Sequence, residues 1–224
     1  MAVELRIGLL AEGTTDHRFL QSIIKRTFEE IRFECRKEID IYEVDIVKSE
    51  KGTSFFEKVK EAAEECWRIG INVLCVHTDA DDSNSSTAYE ERINPALEAL
   101  RGYCEKYSGV CKIWVAIVPV QEVEAWMLAD KELLKRQLGT TLSDNELGIQ
   151  KKPESFTDPK SIIEEAITIA QQGKTKRKRH MLSISELYLP IGQGVDIEKL
   201  DALPSYQDFK ENIRKAFREM NLLH

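Results

Sequence analysis

Apolar positions along the chain follow two alternating rhythms. Glu4 to Leu10 is a short, mostly apolar run that breaks at Glu12-Gly13, and Phe19, Ile23, Ile24, Phe28 and Ile31 follow at spacings of three to five. This predicts a strand, a tight turn and a helix. The pattern repeats: Ile41 to Val47 is strand-like, Ser54-x-x-Glu57 reads as a capping box opening a helix to about Arg68, and Gly70 stops it. Ile71 to Val76 is a continuous apolar run that ends in a burst of acid. Tyr89 to Tyr107 is helical, with Pro95 marking a kink or a restart, and Ile113 to Val118 is the last strand. Strands apolar on both faces, alternating with helices, imply an α/β fold whose mostly parallel sheet is covered by helices on both faces.

From Gln121 the character changes. Beyond a helix carrying Trp126 and Leu128 no β-like run remains, so a boundary near Asp130 divides an α/β domain, 1–130, from a helical C-terminal extension, 131–224, packed on it. Asp158-Pro159 predicts a helix start, with Asp as cap, Pro in the first position, Ile162, Ile163, Ala166, Ile167 and Ala170 as the buried face, and Gly173 as the end. Short helices are expected near Ser183 to Leu189 and a longer one near Tyr206 to Met220. Trp67, Trp114 and Trp126 stand in apolar periodic surroundings and are expected to pack in the core.

Composition narrows the function classes. The 224 residues, 42% of them hydrophobic, suffice for a sizeable core. With 32 Lys+Arg against 39 Asp+Glu the net charge is -7, so a polyanion must be met by a local basic patch, a metal or a partner. No apolar run approaches the roughly 20 residues of a membrane span, and the start lacks a signal-peptide pattern. The five cysteines show no C-x-x-C pair; reduced thiols in a cytoplasmic protein are the expectation.

In an open parallel sheet, ligands bind where loops leave the carboxyl ends of the strands. Here those loops are acidic. Glu12 leaves the first strand, His77-Thr78-Asp79-Ala80-Asp81-Asp82 the third, and Gln121-Glu122-Val123-Glu124 follows the fourth. Carboxylates gathered in one crevice repel one another unless a cation neutralises them, and Mg²⁺ suits such a set while keeping waters and substrate phosphate. Plainer readings stand beside this one: Asp79-x-Asp81 as solvated loop acids, Glu12 as a surface acid near a helix start, and Asp16 as a partner of the helix dipole. Glu122 and Glu124 lie on opposite sides of a strand, or about 200° apart on a helix, so one of the two is expected to face the metal. His77 reads as a core histidine, or one behind the ligands, more readily than as a base.

Glu12-Gly13-x-x-Asp16 after the first strand and Asp79-x-Asp81 after a later one resemble the two motifs of the Toprim domain of topoisomerases, primases and OLD-family nucleases. Gln121 to Asp130 also resembles a segment of a small Toprim-like family of bacteria and archaea that is often encoded beside ATPases. The resemblance covers about residues 4 to 130, with weaker similarity from Leu203 to Phe209. It implies a Toprim-like, Rossmannoid sheet in which Glu12, Asp79 and Asp81 are catalytic and ligate Mg²⁺ or Mn²⁺. Asp16 is implied as a second-site ligand, with Glu122 and Glu124 as further candidates. A topoisomerase module around a nucleophilic Tyr and a primase-type zinc region are not recognisable. There is no G-x-x-x-x-G-K-[ST] loop either, and Gly192-Gln193-Gly194 reads as a turn, so any ATP chemistry belongs to another chain.

The run Lys174-Thr-Lys-Arg-Lys-Arg-His180 is either a solvated loop or a phosphate-backbone contact through Lys174, Lys176, Arg177, Lys178 and Arg179. Lys160 and Lys174 are candidates for stabilising transition-state charge. The leading expectation is a metal-dependent phosphodiesterase cutting nucleic acid, DNA ahead of RNA, in a defence or repair system with an ATPase partner. Two alternatives stay open: a partner-activated or non-catalytic subunit that regulates an ATPase, and a small-nucleotide phosphotransferase.

Overall fold

A computed structural model of the chain describes residues 2–49, 54–172 and 182–223. Its centre is a parallel sheet. The first strand runs as β1 (Val3–Leu5) and β2 (Ile7–Leu10), interrupted at Arg6. There the Arg6 N–H donates to Asn72 Oδ1 at 2.8 Å, and the Arg6 carbonyl accepts from the Asn72 and Val73 N–H groups. The edge strand is likewise in two pieces, β3 (Ile39–Ile41) paired with β1 and β4 (Asp45–Ile46) paired with β2. The chain thus pairs from Ile39, earlier than the apolar run Ile41 to Val47 suggests, and breaks across Tyr42 to Val44. β5 (Val73–His77) and β6 (Ile113–Ile117) complete the order β4-β2-β5-β6, with Leu10 opposite Val76 and His77 opposite Ile117. Every residue of β2 and β5 is buried, the mark of central parallel strands covered on both faces.

On one face lie α2 (Phe55–Ile69) and α4 (Asn94–Lys106), whose Val59, Ala62, Ala63, Cys66 and Leu100 share a core with Leu74 and Val76. Ser54 caps α2 through the Glu57 N–H, and Gly70, at φ 77, ends it in the left-handed conformation that glycine adopts without a Cβ penalty. Trp67 does not join this core. It is one residue past buried Cys66, about 100° round the helix, and is 57% exposed; Trp114 is half-buried, and of the three tryptophans only Trp126 is fully enclosed. Before Pro95 the chain makes a short α3 (Ser86–Ala88) and a π-helical turn, Tyr89–Ile93. A wider turn suits the approach to a residue that has no N–H to give and crowds the preceding carbonyls.

The opposite face carries α1 (Thr14–Ile31) together with the C-terminal helices: α5 (Val123–Met127), α6 (Lys131–Leu138), α7 (Pro159–Gln172), α8 (Tyr188–Gly194), α9 (Ile197–Leu200) and α10 (Pro204–Glu219). One continuous core joins Leu9, Cys75 and Val115 of the sheet to Phe19 and Phe28 of α1 and to Ile191, Tyr206, Phe209 and Ile213. Trp126 stacks edge-on against Tyr206, and its indole N–H donates to Ser205 Oγ at 2.7 Å. Gly192 is helical rather than the turn its glycines suggest. α8 crosses α1 so closely that a Cβ at Gly192 would sit 2.4 Å from the Phe19 carbonyl oxygen, so the glycine serves packing. Among the described residues no helix is long and apolar enough to cross a membrane. All five cysteines are free thiols.

Candidate functional site at the carboxyl end of the sheet

The chain leaves β2 toward the edge strand and later returns to the other side of β2 as β5, so the crevice between the carboxyl ends of β2 and β5 is the switch point where open α/β sheets hold ligands. Glu12 and Asp79 stand on its two sides. The register that sets Leu10 against Val76 carries on beyond the ladder, and the Thr78 hydroxyl donates to Glu12 Oε1 at 3.3 Å. Asp79 Oδ1 accepts the Val123 N–H at 3.1 Å, which ties the β5 loop to the start of α5. His77, buried to 1% exposure, places Nε2 3.3 Å from the same Oδ1, and neither ring nitrogen finds a hydrogen bond.

The β5 and β6 loops remain paired past the strands. Ala80 N–H donates to the Pro119 carbonyl, Asp81 N–H to that of Gln121, and Gln121 N–H to that of Asp82, all near 3.0 Å. To do this Asp81 and Gln121 both take positive φ, 55° and 59°, a conformation costing a non-glycine residue about 1–2 kcal/mol. Asp81 is largely exposed and its carboxylate meets Arg92 at 3.2 Å. Arg92 also donates to Thr78 Oγ1 and to the Asp79 and Ala80 carbonyls. Nothing in the sequence singles out Arg92; the π-helical turn directs it to the loop.

Asp16 stands in the first turn of α1. It is buried, and its Oδ2 accepts the Gly13 N–H at 2.8 Å across the first turn of α1. Glu122 is half-buried, accepts the Lys160 N–H at 2.8 Å, and has its carboxyl pushed up by burial and by the charges of Asp79 and Asp158. Glu124, 3% exposed, accepts from the Tyr188 hydroxyl. Burial foremost, then the charges of Glu122 and Asp79, push it up to about 7. Both glutamates therefore feel Asp79, whereas the spacing suggests that one of them turns away.

Among the described residues no three His, Cys, Asp or Glu side chains stand together closely enough to hold a metal ion. Lys160 lines a shallow recess with Asp81, Glu122 and Asp158. The basic run with Lys174, Lys176, Arg177, Lys178 and Arg179 lies outside the described residues. Lys48 and Lys58, which no motif points to, line a cavity of about 270 Å³ beside Glu12. Lys48 follows the edge strand directly, so the strand-end rule that picks out Glu12 applies to it equally.

The architecture is an α/β fold with parallel sheets and helices, compatible with a Rossmann-like arrangement, and its acidic crevice is at the carboxyl end. Comparison with protein-family models, with curated proteins and with solved structures found no match.

Proposed function

We propose that the chain is a Toprim-type, metal-dependent phosphodiesterase acting on nucleic acid. The observation that supports this most is the Thr78 hydrogen bond that ties the Glu12 loop to the Asp79 loop across the switch point, with Glu124 pushed up to about 7, first by burial and then by the charges of Glu122 and Asp79. Acids crowded to that degree are the environment a hard cation relieves. Two carboxylates suffice for Mg²⁺, which takes its remaining positions from water and substrate phosphate. Glu12 and Asp79 would hold Mg²⁺ or Mn²⁺, with Asp81 and Asp16 as the further ligands that the resemblance implies. Such an ion, when bound, offsets the charge of the scissile phosphate and of the leaving oxygen.

The chain's own groups supply the rest. Asp79 is oriented by the Val123 N–H. Arg92 keeps the 78–81 loop against its carbonyls. Glu124, pushed up to about 7 chiefly by burial, can accept or release a proton near neutral pH. DNA ahead of RNA as substrate, and an ATPase as partner, belong to the same proposal.

The test is cleavage of plasmid and single-stranded substrates in Mg²⁺ or Mn²⁺, with the chain alone and with an ATPase encoded beside it. Glu12→Gln and Asp79→Asn should each lower the rate by at least 100-fold while the far-ultraviolet circular dichroism is unchanged. Rates unaffected by both substitutions, or no cleavage under any of these conditions, reject the reading.

A further inference from the structure

The cavity of about 270 Å³ beside Glu12 has a chemical character different from that of the acidic crevice. It opens between the carboxyl ends of β2 and β4 and the first turn of α2, and is lined by His17, His77, Lys48, Lys58 and Phe55 as well as Glu12. Two cations line it: neither Lys48 nor Lys58 has an ion-pair partner among the described residues.

Two imidazoles line it with unused nitrogens. His77 is 1% exposed with Nδ1 and Nε2 both lacking a hydrogen bond, and His17 has a buried Nε2 in the same condition. The His17 ring gives its other N–H to the Ala11 carbonyl. Buried polar atoms are nearly always paired, so two such rings on one cavity mark a place where a ligand completes the bonding. The ligand should bring anionic oxygens that accept from the lysines. At about 30 Å³ per water the space holds roughly nine waters, enough for one phosphate and the sugar that bears it but not for a duplex. Phe55 offers that sugar or its base an apolar wall.

We propose that this cavity binds a phosphate monoester of a nucleotide, with Lys48 and Lys58 on the phosphate oxygens and the His17 and His77 rings in the wall beside them. Resting on the phosphodiesterase reading, this makes the substrate a strand that carries a terminal phosphate, seated beside Glu12 so that the next phosphodiester faces the acidic crevice. A free nucleoside monophosphate presents the same chemistry.

The experiment measures equilibrium binding of the full chain in EDTA, where no cleavage occurs, by fluorescence anisotropy. Single strands ending in a 5′-phosphate, a 3′-phosphate or hydroxyls only are compared, with a nucleoside monophosphate and inorganic phosphate as competitors. A phosphorylated strand should bind at least 10-fold more tightly than its hydroxyl twin, and Lys48→Ala with Lys58→Ala should remove that preference, Lys→Arg at both positions retaining it. Competition by the mononucleotide at equal concentration assigns the site to the free nucleotide, and competition only at large excess assigns it to the strand end; either bears out the phosphate monoester. Equal affinity for phosphorylated and hydroxyl strands, or no measurable affinity for any of these ligands, overturns the inference. A preference that survives in a chain unable to cut any substrate leaves this site standing and removes the nuclease.

Discussion

The Tyr188 hydroxyl donates to Glu124 Oε1, joining the start of α8 to α5 across 64 residues of sequence. Both groups are buried, so the bond satisfies a donor and an acceptor that water does not reach. Tyr188→Phe should lower stability by about 1–3 kcal/mol in urea unfolding, because a buried carboxyl loses its donor. It should also push the Glu124 carboxyl higher still, since this hydrogen bond is what opposes burial there.

The pH dependence of stability follows from the same carboxyl. Folding raises Glu124 from 4.5 to about 7, so the folded state holds that proton more tightly than the unfolded chain. Its stabilising contribution is complete below pH 4.5 and is lost as pH rises through 7. At 1.36 kcal/mol per pH unit the rise is worth about 3 kcal/mol. Unfolding free energies measured between pH 5 and 8 should fall with pH in the wild type, and Glu124→Gln should flatten the curve over that window.

Divalent cations should act in the opposite sense to alkali. If Glu12 and Asp79 hold the ion in the native state alone, Mg²⁺ or Mn²⁺ at 100 times its dissociation constant adds about 2.7 kcal/mol, read as a rise in Tm. Asp79→Asn should abolish most of that rise. A Tm response identical in wild type and variant would place the ion elsewhere.

Arg92→Lys should not rescue Arg92→Ala. The guanidinium spans Thr78 Oγ1, the Asp81 carboxylate and the Asp79 and Ala80 carbonyls, a spread that an ammonium does not cover. Both variants should lose about 1–3 kcal/mol of stability. Hydrogen exchange should report faster opening of the Asp81 and Gln121 amides in both, with β2 unaffected.

Gly192→Ala is a packing test. Its Cβ would press on backbone of α1, 2.4 Å from the Phe19 carbonyl oxygen and 2.9 Å from the Phe19 Cα, and backbone yields far less than a side chain. A loss of at least about 3 kcal/mol, or insoluble expression, is expected. Gly102→Ala, with open space around its Cβ on α4, should be neutral or slightly stabilising.

Much of this architecture was legible because the central strands are buried on both faces: Ile7 to Leu10 and Val73 to Val76 stand out as apolar runs whatever surrounds them. Glu12 and Asp79 could be placed for the same reason, since each directly follows such a run. What the sequence hid depends on distant partners. Tyr188 looks like any core aromatic until α8 sets it against Glu124, and Arg92 reaches its loop only through a π-helical turn that no residue pattern announces. Asp81 shows a different limit. Its spacing from Asp79 suggests a second ligand, but its positive φ and its contact with Arg92 are not written in that spacing. Trp67 misled because periodicity was averaged over neighbours, while burial is decided at single positions.

The sharing of one core by α1 and the C-terminal helices sets an order of events during synthesis. A nascent chain that has exposed α5 already displays Glu12, Asp79 and Glu124, but Tyr188 and Ser205 are still to come. At about 5–20 residues per second, the 64 residues separating Glu124 from its hydroxyl partner take about 3–13 s to emerge. Through that interval Trp126 has neither Tyr206 nor Ser205 to rest on, and α1 lacks the cover of Ile191. During synthesis the frame around the acidic crevice is therefore completed last, and a chain cut short before α8 carries the acids without the frame that holds them.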